Sequence, residues 1–236
     1  MAQIKGIILY FVALVQTNPM LYIKSFTFNP FQENTYLLYD ESGQGAIIDP
    51  GCYEDSEKQE LENFIQQNNI AVKQILNTHC HIDHVLGNTW AKRTFGVPLL
   101  IHEKEIPVIK SVEVYAPNYG FHMYEGSEPD GFLVEGNEIK IGVETLKILF
   151  VPGHAPGHVV FYHEDSKQAI AGDTLFKGSI GRTDLPGGNH NQLISKIKSV
   201  LFRLPEETII YPGHGPQTTI GFEKINNPFV GQRAML

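Results

Sequence analysis

Short apolar runs, bounded by turns rich in glycine, proline, asparagine and aspartate, recur along most of the chain. Runs of about four to eight residues with such boundaries predict buried or half-buried β-strands. We expect strands at residues 21–28, 35–39, 46–49 and 72–76 in the first part of the chain. The further predicted strands are 97–101, 138–141, 145–151, 159–163, 168–171 and 208–211.

Helical periodicity interrupts this series of strands. Between residues 56 and 68, Leu61, Phe64 and Ile65 recur on one face of a helix. The other predicted helices are 85–95 and 191–202. Alternation of strands and helices indicates a mixed α/β chain, but the periodicity alone does not show how the sheets are arranged.

The chain is expected to form one domain. Its 236 residues contain no internal repeat, low-complexity tract or proline-rich linker, so we place a single domain at residues 20–236. Residues 1–19 are expected to lie outside this fold as an N-terminal extension. Their apolar stretch at 6–15 imitates the hydrophobic part of a signal peptide but is too short to span a membrane as a helix. A membrane-targeting or export segment stays open as the alternative for this extension.

Charge and cysteine content narrow the choice of partners and compartment. The net charge is −8 without a basic stripe, and phosphate binding relies on clustered Lys and Arg, so no nucleic-acid partner is expected. The two cysteines, Cys52 and Cys80, make no disulfide framework and suit a reducing compartment. We therefore expect a cytoplasmic protein without stable membrane association that acts on a small molecule. Its oligomeric state stays open.

The densest group of residues able to bind metal lies directly after the predicted strand at 72–76. Three histidines and one aspartate occur there within six consecutive positions: His79, His81, Asp83 and His84. Two metal ions about 3.5–4 Å apart need a dense set of nitrogen and oxygen ligands of this kind. Three further candidates follow predicted strands, in glycine-containing turns where a rigid sheet positions loop side chains: His154, Asp173 and His214.

This order of residues resembles the metallo-β-lactamase superfamily, and within it the glyoxalase II-like hydrolases. The upstream segments Asn34-Thr35-Tyr36 and Asp49-Pro50-Gly51 extend the resemblance from Leu21 over nearly the whole chain, and residues 178–184 favour the glyoxalase II-like branch. The resemblance implies a four-layer αββα sandwich of two mixed β-sheets. It also implies two divalent metal ions, with zinc as the first choice and iron or manganese as alternatives.

The resemblance divides the candidate ligands into two groups joined by a bridge. It implies one metal held by His79, His81 and His154, a second held by Asp83, His84 and His214, and Asp173 between them. Three neutral imidazoles leave one position open for water, and an anionic bridge offsets the repulsion between two cations. Asp83 and Asp173 are accordingly the expected catalytic carboxylates.

Four further residues near these ligands are expected to lie outside the ligand set. Asp49 and His158 are expected to support the ligands through hydrogen bonds, although Asp49 also suits an ordinary turn before proline and glycine. Arg182 could bind a substrate carboxylate through its planar guanidinium, or pair with Asp184 or Asp173. Cys80 is expected to point away from the metals because the His and Asp set is already complete. The histidines without such a context are read as ordinary polar residues: His102, His122, His163 and His190.

The function predicted from these residues is metal-dependent hydrolysis of a thioester or related acyl compound by a metal-bound hydroxide. Asp83 would hold the attacking water and take its proton. One alternative is a mononuclear iron persulfide dioxygenase, which shares the implied fold but uses two histidines and one aspartate. Another is a different hydrolase of the superfamily, such as a lactonase or a β-lactamase; β-lactamases lack a bridging aspartate at the position of Asp173.

A glutathione thioester would need residues that bind its glutathione part. Glyoxalase II enzymes typically carry a helical domain after the last metal-binding histidine, which supplies basic residues for glutathione. The charged residues that follow His214 in this sequence are Glu223, Lys224 and Arg233. The sequence therefore leaves open whether glutathione thioesters are accepted as substrates.

Overall fold

A computed structural model describes residues 20–232 and 234, and it contains two six-stranded β-sheets. The first sheet has its strands in chain order, with antiparallel pairing at the β1–β3 side and parallel pairing from β3 onwards. Its strands are β1 Tyr22–Phe28, β2 Glu33–Tyr39, β3 Gln44–Ile48, β4 Ala71–Leu76, β5 Leu99–His102 and β6 Gly131–Leu133.

The second sheet is formed by the C-terminal half of the chain. Its strands are β7 Glu138–Ile141, β8 Glu144–Phe150, β9 Val159–His163, β10 Gln168–Gly172, β13 Ile209–Pro212 and β14 Thr218–Thr219. They lie in the order β14-β13-β10-β9-β8-β7, and β10 with β13 is the parallel pair in an otherwise antiparallel sheet. A separate small hairpin comprises β11 Leu175–Phe176 and β12 Ser179–Ile180.

The helices cover the outer faces of the two sheets. They are α1 Asp55–Gln67, α2 Ile82–Val85, α3 Asn88–Phe95, α4 Ile106–Tyr115, α5 His190–Ser199 and α6 Ile220–Asn226. Buried residues of α1, α3 and α4 join the core on one side of the first sheet, and those of α5 and α6 join the core on the outer side of the second. Among the described residues, no helix is both long and apolar enough to cross a membrane.

Successive residues of the central strands enter different cores, which explains their uninterrupted apolar sequences. In β2, Leu37 faces the helices of its own side whereas Leu38 faces the second sheet, and both side chains are completely buried. The same alternation places Ile47 and Ile48 of β3 on opposite faces. A strand covered on both sides needs apolar residues at every position. The three cores separate four layers, so the predicted αββα sandwich is confirmed.

The elements between residues 82 and 137 differ from the prediction. The expected helix at 85–95 is found as α3, Asn88–Phe95, and a separate short helix, α2, precedes it, because the chain turns at Gly87 between the two. The Gly87 N–H donates to the Pro50 carbonyl at 2.7 Å, and a β-carbon there would lie 2.5 Å from Cys52 Sγ. Tertiary contact with the turn after β3 thus ends the first helix. The elements α4 and β6 were not predicted.

Two predictions concern residues outside the described part of the chain. These are the extension at residues 1–19 and any role of Arg233. Of the other charged residues after His214, Glu223 is fully buried and accepts hydrogen bonds from Thr218 Oγ1 at 2.5 Å and from Gly178 N at 3.1 Å. Its carboxylate therefore anchors α6 to the body of the protein.

Candidate metal centre

All seven predicted ligands come together where four strands end. The loop after β4 and the short helix α2 carry the first four of them. The turns after β8, β10 and β13 supply the rest: His154, Asp173 and His214. The strands β4 and β10 belong to different sheets, and their carboxyl ends lie at one edge of the sandwich, where rigid strands hold the loops.

Three imidazoles converge at one side of this edge. His81 Nδ1 lies 2.9 Å from His154 Nε2, which in turn lies 3.2 Å from His79 Nε2. All three rings are buried. Burial keeps the pKa of His79 well below its ordinary value and lowers that of His81 to about 3, so these rings are neutral near pH 7. Neutral imidazoles are the form that binds metals.

The hydrogen bonds of the Nδ1 atoms of His154 and His79 determine which ring nitrogen of each histidine is unprotonated. His154 Nδ1 donates to the carbonyl oxygen of Arg182 at 2.7 Å, which leaves Nε2 without a proton. Thr78 Oγ1 donates to an oxygen of Asp49 at 2.5 Å and can therefore only accept from His79 Nδ1, at 3.1 Å. The Nε2 lone pairs of His79 and His154 consequently face each other. A shared cation stabilises this arrangement, whereas two bare lone pairs repel.

A second group lies beside the first and is more acidic. His214 Nε2 is 3.0 Å from Asp83 Oδ2, and His84 Nε2 is 3.7 Å from the same oxygen. His214 Nδ1 donates to the carbonyl oxygens of Phe31 and Gln32 at 3.1 and 3.2 Å, so its Nε2 faces the carboxylate. His84 Nε2 is buried without a hydrogen-bond partner. Burial disfavours charge on His84, but Asp83 and Asp173 outweigh it and hold its pKa well above the ordinary value. The carboxylates thus attract positive charge to this point.

Asp173 lies between the two groups. Its Oδ2 is 3.6 Å from His154 Nε2 and 3.6 Å from His214 Nε2, and its Oδ1 is 3.5 Å from His84 Nε2. Oδ1 is buried and has no hydrogen-bond partner. Burial opposes its ionisation, but the surrounding histidines outweigh that effect and lower the pKa of Asp173. The unpartnered atoms of His84 and Asp173, together with the facing lone pairs of His79 and His154, fit a pair of divalent cations.

Asp49 supports the site from the end of β3. Its Oδ1 accepts the Thr78 N–H at 2.7 Å, and its Oδ2 lies 3.2 Å from His84 Nδ1. A carboxylate behind a histidine orients the ring and leaves the other nitrogen as a ligand atom. The backbone of Asp49 has φ of +50°, an unusual conformation for a residue other than glycine.

His158 contacts the backbone of Asp173 and the ring of His79. Its Nε2 accepts the backbone N–H of Asp173 at 3.0 Å, and its ring stacks on His79 at a centroid distance of 4.7 Å. Burial keeps the pKa of His158 well below its ordinary value, so the ring remains a neutral acceptor. It holds Asp173 and His79 in place from behind.

The backbone and the side chain of Arg182 contact different parts of the molecule. Its guanidinium pairs with both oxygens of Asp184 at 2.8 and 2.7 Å and is 61% exposed. Its carbonyl oxygen, by contrast, holds His154 as described above. The structure therefore brings the backbone of Arg182 to the site and leaves the guanidinium in an exposed ion pair.

Two buried carboxylic acids beside the site were not predicted. Glu33 lies with Oε1 3.7 Å from His84 Nδ1, and burial raises its pKa well above the ordinary value. Glu105, from the turn before α4, contacts the loops that carry His79, His81 and His154. Neither residue has a local motif. In the sequence, Glu33 is marked only by its position next to Asn34. The Asn34 Nδ2 donates to the carbonyl oxygens of Pro212 and Gly215, in the turn that carries His214, at 3.1 and 2.9 Å.

A further group of similar composition lies at the other end of β8 and β9. His163 Nε2 is 2.8 Å from Glu144 Oε2, and its Nδ1 is 2.6 Å from Ser166 Oγ. Both ring nitrogens therefore have protein partners. This agrees with the reading of His163 as an ordinary polar residue.

Comparison with known proteins identifies the family. The family model for the metallo-beta-lactamase superfamily matches residues 28–214. Hydroxyacylglutathione hydrolase GloC of Haemophilus influenzae is 39% identical over 206 residues, which cover 86% of this chain and 95% of that protein.

Two solved structures are also similar. TTHA1623, crystallised in a di-iron-bound form, is 36% identical with a TM-score of 0.79, covering 87% of this chain and 99% of that one. The BLEG-1 B3 metallo-beta-lactamase is 34% identical with a TM-score of 0.79, covering 89% of this chain and 99% of that one. The chain therefore belongs to the metallo-beta-lactamase superfamily, as a metal-dependent hydrolase.

Proposed function

We propose that this chain is a dinuclear hydrolase of thioesters, similar in activity to glyoxalase II. The observation that carries the proposal is the position of Asp173, whose carboxylate lies within 3.6 Å of imidazole nitrogens from both ligand groups. A carboxylate so placed can bridge two cations. In this proposal one metal is held by His79, His81 and His154, and the other by Asp83, His84 and His214.

When bound, two such ions polarise the carbonyl group of a substrate and lower the pKa of a water molecule to about 7. Zinc is the first candidate, and the di-iron form of TTHA1623 makes iron the main alternative. Both metals accept mixed histidine and carboxylate ligands, so metal analysis of the purified protein decides between them.

Asp83 is suited to receive the proton of the attacking water. Burial opposes its ionisation, but His84 and the hydrogen bond from His214 outweigh it and lower the pKa of Asp83. The ionised carboxylate is slightly accessible, with 14% of its side chain exposed. Asp83 therefore stays ionised near pH 7 and can accept a hydrogen bond from the attacking water, and its exposed part can pass the proton of that water to solvent.

No protein nucleophile is needed, and the two cysteines are unsuited to that role. Cys52 and Cys80 are completely buried, and burial raises the pKa of both thiols. Thiolates rather than thiols are the nucleophilic form. A substrate thiolate, whose conjugate acid has a pKa of about 8.5, leaves without help from a general acid. A thioester therefore matches the available groups.

The test is hydrolysis of S-lactoylglutathione by purified, zinc-loaded protein, followed as thiol release. We expect turnover with kcat/KM above about 10⁴ M⁻¹s⁻¹, which a chelator abolishes and added zinc restores. A parallel assay with a small thioester lacking glutathione separates recognition of glutathione from the chemical step. Chelator-insensitive turnover, or none on either thioester, would contradict the proposal.

Hydrolysis of β-lactams is a second candidate, favoured by the 34% identity to BLEG-1. A chromogenic cephalosporin in the same assay tests it. Turnover of the cephalosporin at more than the thioester rate would reverse the order of the two candidates. We favour thioesters because the relative GloC, at 39% identity, carries that activity in its name.

A further inference from the structure

Glu105 lies at the point where the two sheets meet the three-histidine group. It is completely buried at the end of a short 3-10 helix, Glu103–Glu105, between β5 and α4. Its Oε2 accepts the Cys80 N–H at 2.8 Å, and its Oε1 accepts the Gly157 N–H at 2.6 Å. One carboxylate thus ties a loop of the first sheet to a loop of the second.

Both loops carry ligand candidates of the same group. Cys80 lies between His79 and His81, and Gly157 lies three residues after His154. Convergence of these imidazoles at 2.9 and 3.2 Å depends on the spacing between the loops. Since they begin on different sheets, a small shift between the sheets would separate the nitrogens. Within the described part of the chain, Glu105 makes no hydrogen bond to Asp83, His84 or His214, the candidate ligands of the other group.

The packing around Glu105 leaves little freedom. A β-carbon at Gly157 would lie 2.8 Å from Glu105 Cγ and 2.9 Å from its Oε1, so this close approach requires glycine. Each oxygen of the Glu105 carboxyl group accepts one of the two N–H groups. Burial nevertheless raises the pKa of Glu105 to about 7, which shows that its two hydrogen bonds only partly offset the loss of hydration.

We propose that Glu105 is a positioning residue that sets the spacing of the three-histidine metal site by holding the Cys80 and Gly157 loops together. The proposal rests on the two-metal assignment above. It implies that loss of one acceptor weakens the metal at His79, His81 and His154 and spares the metal at Asp83, His84 and His214.

The experiment titrates chelator-treated full-length protein with Co²⁺, following its visible absorption and the heat of binding. In Glu105→Gln an amide NH₂ replaces one acceptor and faces an N–H donor. We expect one of the two binding steps to weaken about 10- to 100-fold, as for other residues that support metal ligands. The absorption of the corresponding cobalt ion should change, and the other step should keep its wild-type affinity.

Glu103→Gln is the matched control, because Glu103 is an exposed glutamate in the same turn. It should leave both steps unchanged. The proposal would be overturned if Glu105→Gln bound both Co²⁺ ions with wild-type affinity. It would also be overturned if both affinities fell equally in a folded variant. If Glu105→Gln does not fold, Gly157→Ala supplies the test, since its methyl group pushes the same loop away from Glu105; the same selective loss is then expected, and two wild-type steps would overturn the proposal.

The result is separable from the proposed thioester activity. Two cobalt ions bound to the wild-type protein, without turnover of any thioester, would remove the proposed substrate and leave the role of Glu105 testable. A wild-type protein that binds fewer than two ions would contradict the two-metal assignment and, with it, the role of Glu105.

Discussion

Replacing Asp173 with alanine is expected to lower bound metal from two ions to one or fewer and to reduce hydrolysis on the order of 10³-fold or more. The carboxylate lies within 3.6 Å of imidazole nitrogens from both groups, and its removal leaves two cations without an anion between them. Elemental mass spectrometry measures the number of metal ions bound per chain, and the thioester assay measures the rate of hydrolysis.

A matched control for this variant is Asp55→Ala. Asp55 is an exposed aspartate at the start of α1, and the whole of α1 separates it in sequence from the first candidate ligand, His79. It should retain two metals and wild-type activity. Two metals bound to Asp173→Ala would sink the bridging role, whatever the activity of that variant.

A methyl group at Gly213 is expected to disrupt the centre without changing any ligand. A β-carbon there would overlap Asp173 Oδ1 and lie 2.7 Å from His84 Cε1. The backbone cannot retreat easily, because the Gly213 N–H donates to Gly172 O at 2.8 Å and its carbonyl accepts the Asn34 N–H at 2.7 Å. Gly213→Ala should therefore lose metal and activity, and overpacking should lower the free energy of unfolding by about 1–3 kcal/mol.

Gly215→Ala provides the comparison two residues further on. A β-carbon at Gly215 has no atom within 4 Å, but its φ of +71° strains any residue with a side chain. This variant should lose about 1–2 kcal/mol of stability and keep both metals. Equal metal content in the two variants, measured beside thermal unfolding, would show that crowding at Gly213 is not decisive.

The fold was predictable wherever the local pattern and the tertiary environment agree. In β2 and β3 the uninterrupted apolar runs, such as Leu37 with Leu38, match burial on both faces. The helix predicted at 85–95 is present as α3, Asn88–Phe95, but its start differs, because that start depends on the contact of Gly87 with Pro50 and Cys52, which lie far away in the sequence. Hydrophobic periodicity carries no information about such a contact.

The candidate site was predictable to a similar extent. His79, His81, Asp83 and His84 stand so close together in the sequence that their chemistry is visible before folding, and the turns after β8, β10 and β13 hold the other candidates. The ligand roles themselves remain predictions, which the Asp173 and Glu105 variants test. For Arg182 the structure shows the pairing with Asp184 that the sequence left open.

The sequence by itself determined the residue types of the metal centre, the family and the alternation of strands that leads to two sheets. Only the tertiary structure decided which imidazole nitrogens face one another, how far the Asp173 oxygens lie from each group, and that Glu33 and Glu105 are buried beside them. The reason is physical. Ligand chemistry and periodicity are local properties of the chain, whereas lone-pair directions, burial of a single carboxylate and the spacing between loops arise only when two sheets pack together.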